Sequence, residues 1–491
     1  MTEEKKPVGD AAPVVYVDKI VSTKHKIKIG QATIAYTATC GTIVLREDLE
    51  KDGNREAEKP RATIFFVAYT RDGVTDPGKR PITFSFNGGP GSSSVWLHLG
   101  LFGPKIVKLD GKGEPGKPPY SLTANPHCLL DQTDFVFIDP VGTGYSRMVD
   151  GEKVGEFHNF QRDLDSVGEF IRLYLSRNQR WASPKFIAGE SYGTTRAAGL
   201  SRLLQEKYSL YVNGLMLISC ALEFSSIRFH PGNDLPHVLF LPTFALTARY
   251  HGKLDAALAK KPIEAFVAEV EAFAAGEYTS ALFLGDKLPA PRRAALVKTL
   301  ARYTGLTPDY IESTNLRISI FRFCKELLRD RRLTVGRLDS RFTGVDRDAA
   351  GEQFESDAAH NLIDGAFAAC LNDYVRRELK FESDTPYTMI SKLYMTWDFG
   401  AKNEPLNVAE TLRKTLSASP HTKVYVGQGW YDFATPHFAS DYVMSHMALE
   451  PHLAKNIETH YYAAGHMMYI DQAEFKAQAG HLRAFIKNAA A

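Results

Sequence analysis

The sequence predicts an α/β protein with a central, mostly parallel sheet flanked by helices and interrupted by a helical insertion. Three observations predict it: short apolar runs end near Gly or Pro, helical segments separate several of these runs, and residues 224–385 carry few strand signals. Apolar runs of four or five residues are typical of strands covered on both faces. Their alternation with helical segments is typical of an α/β sheet.

The predicted strands divide into two groups. Residues 31–45 alternate weakly and residues 62–69 form an apolar run, which predicts antiparallel strands joined by a loop. The expected central strands are residues 82–86, 135–138, 185–188, 215–218 and 423–426.

We expect four segments along the chain. Residues 1–24 are rich in Lys, Glu, Pro and Ala, which predicts a mobile tail. Residues 25–223 and 386–491 are the two parts of the core, and residues 224–385 are a helical cap over it. Within the cap, one helix is predicted to begin at Pro262 and end at Gly276, and Thr307 is predicted to be the N-cap of another.

Composition argues against several other classes of protein. The 491 residues carry a formal net charge of +2 and no basic block with interleaved aromatics, which argues against a nucleic-acid partner. No apolar run reaches the roughly 18 residues of a spanning helix, so no transmembrane segment is expected. The five cysteines show no CxxC and no metal-ligand spacing. We therefore expect buried free thiols, no metal and no cofactor.

The N-terminus is polar and lacks the apolar stretch of a secretory signal. A soluble chain is expected, cytoplasmic as it stands and periplasmic or secreted if it begins after a removed signal. No feature of the sequence specifies an oligomeric state.

The strongest chemical motif is Gly189-Glu-Ser-Tyr-Gly193. It follows a predicted strand and precedes a predicted helix, the context of a nucleophile elbow in the α/β-hydrolase fold. In that fold the partners of the serine follow in the order Asp or Glu, then His. Asp432 follows the last predicted strand and His466 stands in an Ala-Gly-His sequence, so these two residues are the candidates to complete a triad with Ser191.

A second motif is the glycine-rich run Asn87-Gly-Gly-Pro-Gly-Ser-Ser-Ser94, directly after the strand at 82–86. It lacks the Lys-Ser/Thr of a P-loop, and GxGxxG is absent, so nucleotide binding is a poor interpretation. In a hydrolase, such a loop supplies one N–H group of the oxyanion hole, and the residue after the nucleophile supplies the other.

Five motifs in order resemble those of the serine carboxypeptidase family. Besides the elbow and the glycine-rich loop, they are Phe137-Ile-Asp-Pro-Val-Gly-Thr-Gly-Tyr-Ser146, Tyr431-Asp-Phe433 and Ala464-Gly-His-Met467. The match runs from about 80 to 223 and from about 386 to 480, and it leaves the cap uncovered.

The resemblance implies a role for each motif residue. Ser191 is expected to attack the carbonyl, His466 to act as general base and then acid, and Asp432 to orient the imidazole. The backbone N–H groups of Gly89 and Tyr192 are expected to form the oxyanion hole.

The resemblance also implies that the substrate is a peptide with a free C-terminus. Asn87 and Glu190 are expected to bind its terminal carboxylate. A carboxylic acid donates to a carboxylate only while protonated, so Glu190 is expected to have a raised pKa.

Two positions depart from the family pattern. Ser92 stands where the family usually has cysteine, so the disulfide of that cysteine is absent. Leu101 stands where the family has a second glutamate, which leaves the carboxylate-binding pair of acids incomplete. His98, one turn earlier if this segment is helical, is a candidate substitute.

Three functional classes remain. The first is a serine carboxypeptidase that forms an acyl-enzyme on Ser191. The second is an esterase or acyltransferase that uses the same triad, and the third is a non-catalytic binding protein that keeps the fold. The intact triad argues against the third, and only Asn87 and Glu190 separate the first from the second.

Overall fold

The structure is a computed structural model that describes residues 15–52 and 54–491. The strands within these residues, in chain order, are β1 (Lys19–Ile29), β2 (Ala32–Lys51), β3 (Asn54–Arg71), β4 (Ile82–Phe86), β5 (Lys105–Val107), β6 (Leu122–Ala124), β7 (Asp134–Ile138), β8 (Arg147–Met148), β9 (Lys185–Ser191), β10 (Gly214–Cys220), β11 (Thr334–Val335), β12 (Thr343–Gly344), β13 (Lys423–Gly429) and β14 (Ile457–Tyr462).

Helices connect and cover these strands. The α-helices are α1 (Val95–Leu97), α2 (Phe160–Arg177), α3 (Tyr192–Tyr208), α4 (Leu235–Tyr250), α5 (Ala256–Ala259), α6 (Ile263–Phe273), α7 (Thr279–Leu284), α8 (Ala290–Thr304), α9 (Pro308–Ser313), α10 (Ile320–Glu326), α11 (Ala358–Arg377), α12 (Ala409–Ala418), α13 (His437–Ser445), α14 (Pro451–Ala454) and α15 (Gln472–Ala490). No helix in the described part of the chain is both long enough and apolar enough to cross a membrane.

The central sheet has the strand order β1-β2-β3-β7-β4-β9-β10-β13-β14, with β8 paired to β3. Strands β7, β4, β9, β10, β13 and β14 are parallel to one another. Strands β1, β2 and β3 pair antiparallel, and β3 joins the parallel part through an antiparallel pair with β7. Carboxyl ends of parallel strands meet at one edge, so the loops after β4, β9, β13 and β14 converge. The predicted α/β-hydrolase fold is confirmed.

Apolar side chains cover both faces of this sheet, as the near-continuous apolar runs predict. Alternate residues of one strand enter different clusters: Phe186 and Met216 pack on one face, whereas Ile187 and Leu215 pack on the other. Helix α15 packs on the first face, and α2, α3 and α12 pack on the second. The strands are therefore held from both sides, which fixes the edge that carries the motifs.

The residues between β10 and α12 form a mainly helical block with its own apolar cluster. Phe433, beside Asp432, is part of that cluster: its ring lies 5.2 Å from the ring of Phe244 and 5.5 Å from that of Phe323. The block is thus packed directly against a core loop that carries a candidate triad residue.

Two sequence predictions are corrected by the structure. The predicted tail at 1–24 is too long, because β1 begins at Lys19 and pairs with β2 over its whole length; residues 1–14 lie outside the described residues. The helix predicted to end at Gly276 continues through a π-helical turn at Ala274–Tyr278 into α7. A Cβ at Gly276 would meet nothing within 4 Å, so this glycine is not required by a cap.

All five cysteines are buried and unpaired, which confirms the prediction of free thiols. Burial raises the pKa of Cys128 to about 12 and that of Cys220 to about 12. At neutral pH these two thiols are protonated and poor nucleophiles.

Candidate active site

The sharp turn between β9 and α3 presents Ser191. Its backbone has φ of 61° and ψ of −130°, a strained conformation for a residue with a side chain. A Cβ on Gly189 would lie 2.1 Å from the carbonyl oxygen of Gly193, and a Cβ on Gly193 would lie 2.9 Å from that of Phe86. Only glycine fits at both flanking positions, which is the physical reason for the GxSxG pattern.

Asp432 and His466 meet at the ends of β13 and β14. The Nδ1 atom of His466 lies 2.7 Å from Oδ2 of Asp432. Thr435 gives the same carboxylate two further hydrogen bonds: its hydroxyl donates to Oδ2 of Asp432 at 2.7 Å, and its backbone N–H donates to Oδ1 at 3.1 Å. With Nδ1–H directed at Asp432, the Nε2 atom of His466 is left to accept a proton.

The charges of this pair support each other. Burial raises the pKa of Asp432, but the charge of His466 and the hydrogen bonds from His466 and Thr435 bring it below its usual value. Burial lowers the pKa of His466, yet Asp432 and then Glu190 raise it above its usual value. Asp432 is therefore ionised at neutral pH, and His466 is a stronger base than a free imidazole.

Ser191 lines a cavity of about 660 Å³ between the core and the helical block. The same cavity is lined by Thr435, which donates hydrogen bonds to Asp432, and by Gly89 and Tyr192. Among the described residues, the Ser191 hydroxyl makes no hydrogen bond, so it is available to a substrate. Hydrogen bonds between nucleophile and base are often long in free enzymes and shorten when substrate binds.

The glycine-rich loop lies against the elbow. A Cβ on Gly88 would be 2.5 Å from the backbone nitrogen of Tyr192, so glycine is required for this approach. The next residue, Gly89, has φ of 103°. Arg196 holds the loop from behind, since its Nη1 donates to the carbonyl of Asn87 at 2.6 Å and its Nε to the buried Asp163 at 2.8 Å.

Glu190 is a buried acid beside the Asp432–His466 pair. The Nδ2 atom of Asn87 donates to its Oε1 at 2.9 Å, and the hydroxyl of Tyr469 donates to its Oε2 at 2.6 Å. Burial raises the pKa of Glu190 to about 7, although His466, Tyr469 and Asn87 act in the opposite direction. A carboxyl group with this pKa exists in both protonation states near neutral pH.

Leu101 is buried in the core, and the hydroxyl partner of Glu190 comes from Tyr469 instead. The ring of Tyr469 passes over Gly100, where a Cβ would lie 2.4 Å from its Cε2 atom. The candidate substitute His98 is wrong: its Nε2 is 2.7 Å from the hydroxyl of Tyr69, and its ring stacks on Phe137. Burial lowers the pKa of His98 to about 3, so it stays neutral.

The segment 337–340 of the helical block is hydrogen-bonded to the two loops that carry Asp432 and His466. Its Arg337 carbonyl accepts from the N–H of Phe433 at 3.0 Å, and its Leu338 carbonyl accepts from the N–H of His466 at 2.6 Å. Asp339 accepts from the N–H of Gly465 at 3.0 Å. The block therefore helps to fix the backbone of the two loops that carry Asp432 and His466.

The fold and the elbow define a protein of the α/β-hydrolase class, and part of its sequence is similar to a known family. Residues 54–217 match the family model described as serine carboxypeptidase. The pheromone-processing carboxypeptidase KEX1 of Saccharomyces cerevisiae is 32% identical over 161 residues, which are 31% of this chain and 20% of that protein. Carboxypeptidase Y of Schizosaccharomyces pombe is 31% identical over 149 residues, which are 28% of this chain and 13% of that protein.

A solved structure gives the same picture for the fold. The structure described as a prohormone-processing carboxypeptidase from Saccharomyces cerevisiae has a TM-score of 0.57 and 14% identity, and the match covers 92% of this chain and 91% of that one. Residues 54–217 are thus similar to the serine carboxypeptidase family. The matched sequence spans well under two thirds of the length of the relatives named above.

Two residues of the site were missed by sequence reasoning. Thr435 follows Asp432 by three residues, and Tyr469 follows His466 by three, but neither belongs to a motif. A signal for Tyr469 existed in Gly100, beside the departure at Leu101, because a glycine at this place leaves room for a ring. That signal identifies the space and not the side chain that fills it.

Proposed function

We propose that the chain is a serine carboxypeptidase that removes C-terminal residues from peptides. The observation that carries the proposal is Glu190, a buried carboxyl group with a pKa of about 7 beside Asn87 and the Asp432–His466 pair. A protonated Glu190 donates a hydrogen bond to the terminal carboxylate of a substrate, and Asn87 adds a second contact. This arrangement favours a substrate that ends at the residue after the scissile bond.

The proposed reaction proceeds through an acyl-enzyme. Ser191 Oγ attacks the scissile carbonyl while its proton passes to Nε2 of His466, and the N–H groups of Gly89 and Tyr192 bind the oxyanion. His466 then gives this proton to the leaving amine as the C–N bond breaks. A water molecule attacks the ester, its proton passes through His466 to Ser191 Oγ, and the acyl group leaves as an acid.

A comparison of matched substrates tests this proposal. A blocked dipeptide with a free C-terminus should be cleaved at least about tenfold faster than its C-terminal amide below pH 7, since one charge-assisted hydrogen bond contributes about 1.5–3 kcal/mol. The measurement is kcat/KM for release of the last residue by chromatography. Equal rates for acid and amide would contradict exopeptidase specificity.

One observation favours the second candidate, an esterase or acyltransferase. Glu190 is only 3% exposed and does not line the cavity that contains Ser191. An ester needs the triad and the cavity but no terminal carboxylate, so it would be processed without access to Glu190. The methyl ester of the same blocked dipeptide separates the two functions, because its hydrolysis reports the triad alone.

Replacement of Tyr469 tests the proposed carboxylate site. In Tyr469→Phe the hydrogen bond that favours ionised Glu190 is lost, so the pKa of Glu190 should rise. The alkaline decline of peptide hydrolysis should move upward by about one pH unit, given about 1.4 kcal/mol per unit. The measurement is the pH dependence of kcat/KM for the free-acid dipeptide.

The control for this variant is Tyr462→Phe, a buried tyrosine whose hydroxyl contacts Tyr425 and His481 instead. Its profile should match that of the wild type. If Tyr469→Phe also leaves the alkaline decline in place, Tyr469 does not act on the ionisation of Glu190.

A further inference from the structure

Two arginines line the cavity that contains Ser191. Arg228 follows β10, and Arg337 lies in the segment 337–340 of the helical block. Within residues 15–52 and 54–491, neither guanidinium has an ion pair or a hydrogen bond. The guanidinium of Arg228 lies 5.3 Å from the ring centroids of both Phe224 and Phe399, which hold it by cation–π contact.

Among the residues that the structure describes, Asp357 is the one acidic residue that lines the same cavity. Its Oδ1 accepts from the backbone N–H groups of Arg337 at 3.2 Å and Ala359 at 3.0 Å, and its Oδ2 accepts from that of Leu338 at 3.0 Å. Asp357 is thus the N-cap of α11 and is bonded to backbone. Two arginines against one aspartate leave the cavity wall with a net charge of +1.

The two guanidinium groups act on each other. Burial and then the charge of Arg337 lower the pKa of Arg228, and Arg337 also opposes the rise in the pKa of His466. Like charges on the wall of one cavity repel, and an anion between them would relieve the repulsion. The cavity is therefore adapted to a negatively charged group.

The position of this cavity decides which part of a substrate enters it. This step rests on the proposed function, in which Glu190 and Asn87 hold the terminal carboxylate. Neither of them lines the cavity, and neither does Tyr469. The residue after the scissile bond therefore lies on the Glu190 side of Ser191, and the residue before that bond extends into the cavity.

We propose that Arg228 and Arg337 bind an acidic side chain, Asp or Glu, on the residue immediately before the scissile bond. The planar guanidinium groups match a carboxylate with paired hydrogen bonds. Ile320, Phe321 and Phe354 line the same cavity and cover the methylene stem of such a side chain.

Matched ethyl esters of blocked Glu and blocked Gln test the proposal. These esters have no terminal carboxylate, so their rates report the acyl side alone, whether or not peptides are cleaved. We expect kcat/KM for the Glu ester to exceed that for the Gln ester by about tenfold. In Arg228→Gln this ratio should fall towards one, and in Arg228→Glu a blocked Lys ester should become the better substrate.

Arg228 is the variant of choice because Arg337 also acts on His466. The control is Arg377→Gln, an exposed arginine on α11 outside the cavity, which should keep the Glu preference. Equal rates for the Glu and Gln esters with the wild type would overturn the proposal. The proposal would also be overturned if Arg228→Gln slowed free-acid peptides with Glu and with Gln before the scissile bond to the same degree and left the Glu-to-Gln ratio of the ester rates unchanged. The arginines would then bind the terminal carboxylate.

The same esters separate this proposal from the proposed function. If the Glu ester is preferred and no peptide is cleaved, the acidic site stands and the carboxypeptidase function fails. If peptides are cleaved with no preference for Glu in either substrate series, the carboxypeptidase function stands and the acidic site fails.

Discussion

Ser191→Ala should lower hydrolysis of both peptide and ester by about 10⁶-fold in kcat, the scale seen when the nucleophile of a serine hydrolase is removed. The substitution deletes the attacking oxygen. Because alanine is as small as serine, the backbone of the elbow and its flanking glycines should keep their conformation. The measurement is single-turnover hydrolysis together with labelling by a fluorophosphonate, which should modify the wild type at Ser191.

The control for this prediction is Ser313→Ala, which alters an exposed serine at the end of α9. It should keep both activity and labelling, and the thermal unfolding of both variants should match the wild type. Activity retained in Ser191→Ala, with label on another serine, would contradict the assignment of the nucleophile.

Asp432→Asn should lower the rate by about 10³ to 10⁴-fold with little change in shape. In the wild type, Asp432 accepts from the Nδ1–H of His466, whereas an amide can present its N–H₂ to that nitrogen and favour the wrong tautomer. The backbone contact from Thr435 would persist through the remaining oxygen. The measurement is kcat for the methyl ester, which does not depend on Glu190.

Asp373→Asn, at an exposed position on α11, is the matched control and should be fully active. A near-normal rate in Asp432→Asn would show that another group orients His466.

The parts of the fold that could be predicted depend on local chemistry. Strand β4 has the predicted bounds, because a five-residue run with three large apolar side chains, placed between Pro81 and Asn87, has few alternatives to a buried strand. The elbow could also be predicted from the sequence, because backbone contacts within one turn require glycine at Gly189 and Gly193. The N-cap at Thr307 follows from its own hydroxyl, which accepts from the N–H of Tyr310.

The parts that could not be predicted depend on distant pairs. Tyr469 and Glu190 are 279 residues apart, and their hydrogen bond exists only because β14 brings its following loop to the edge that β9 also reaches. The error at Gly276 has a different cause. A lone glycine in a helical pattern resembles a C-cap, yet packing of the flanking apolar residues keeps this segment helical.

The pH dependence of hydrolysis links the triad to the carboxylate site. Under the proposed function, free-acid peptides need protonated Glu190, which is lost as pH rises through its pKa of about 7. They also need neutral His466, which is lost as pH falls through a raised pKa. The two demands oppose each other, so kcat/KM should follow a narrow bell. Esters need only His466 and should lack the alkaline decline.

The most direct test of the account is this pair of profiles in the wild type and in Glu190→Gln. Glutamine donates a hydrogen bond at every pH, so the variant should lose the alkaline decline for peptide and keep the ester profile. Glu206→Gln, an exposed change on α3, should keep the bell. A bell that persists in Glu190→Gln, or equal profiles for peptide and ester in the wild type, would contradict recognition of the terminal carboxylate by Glu190.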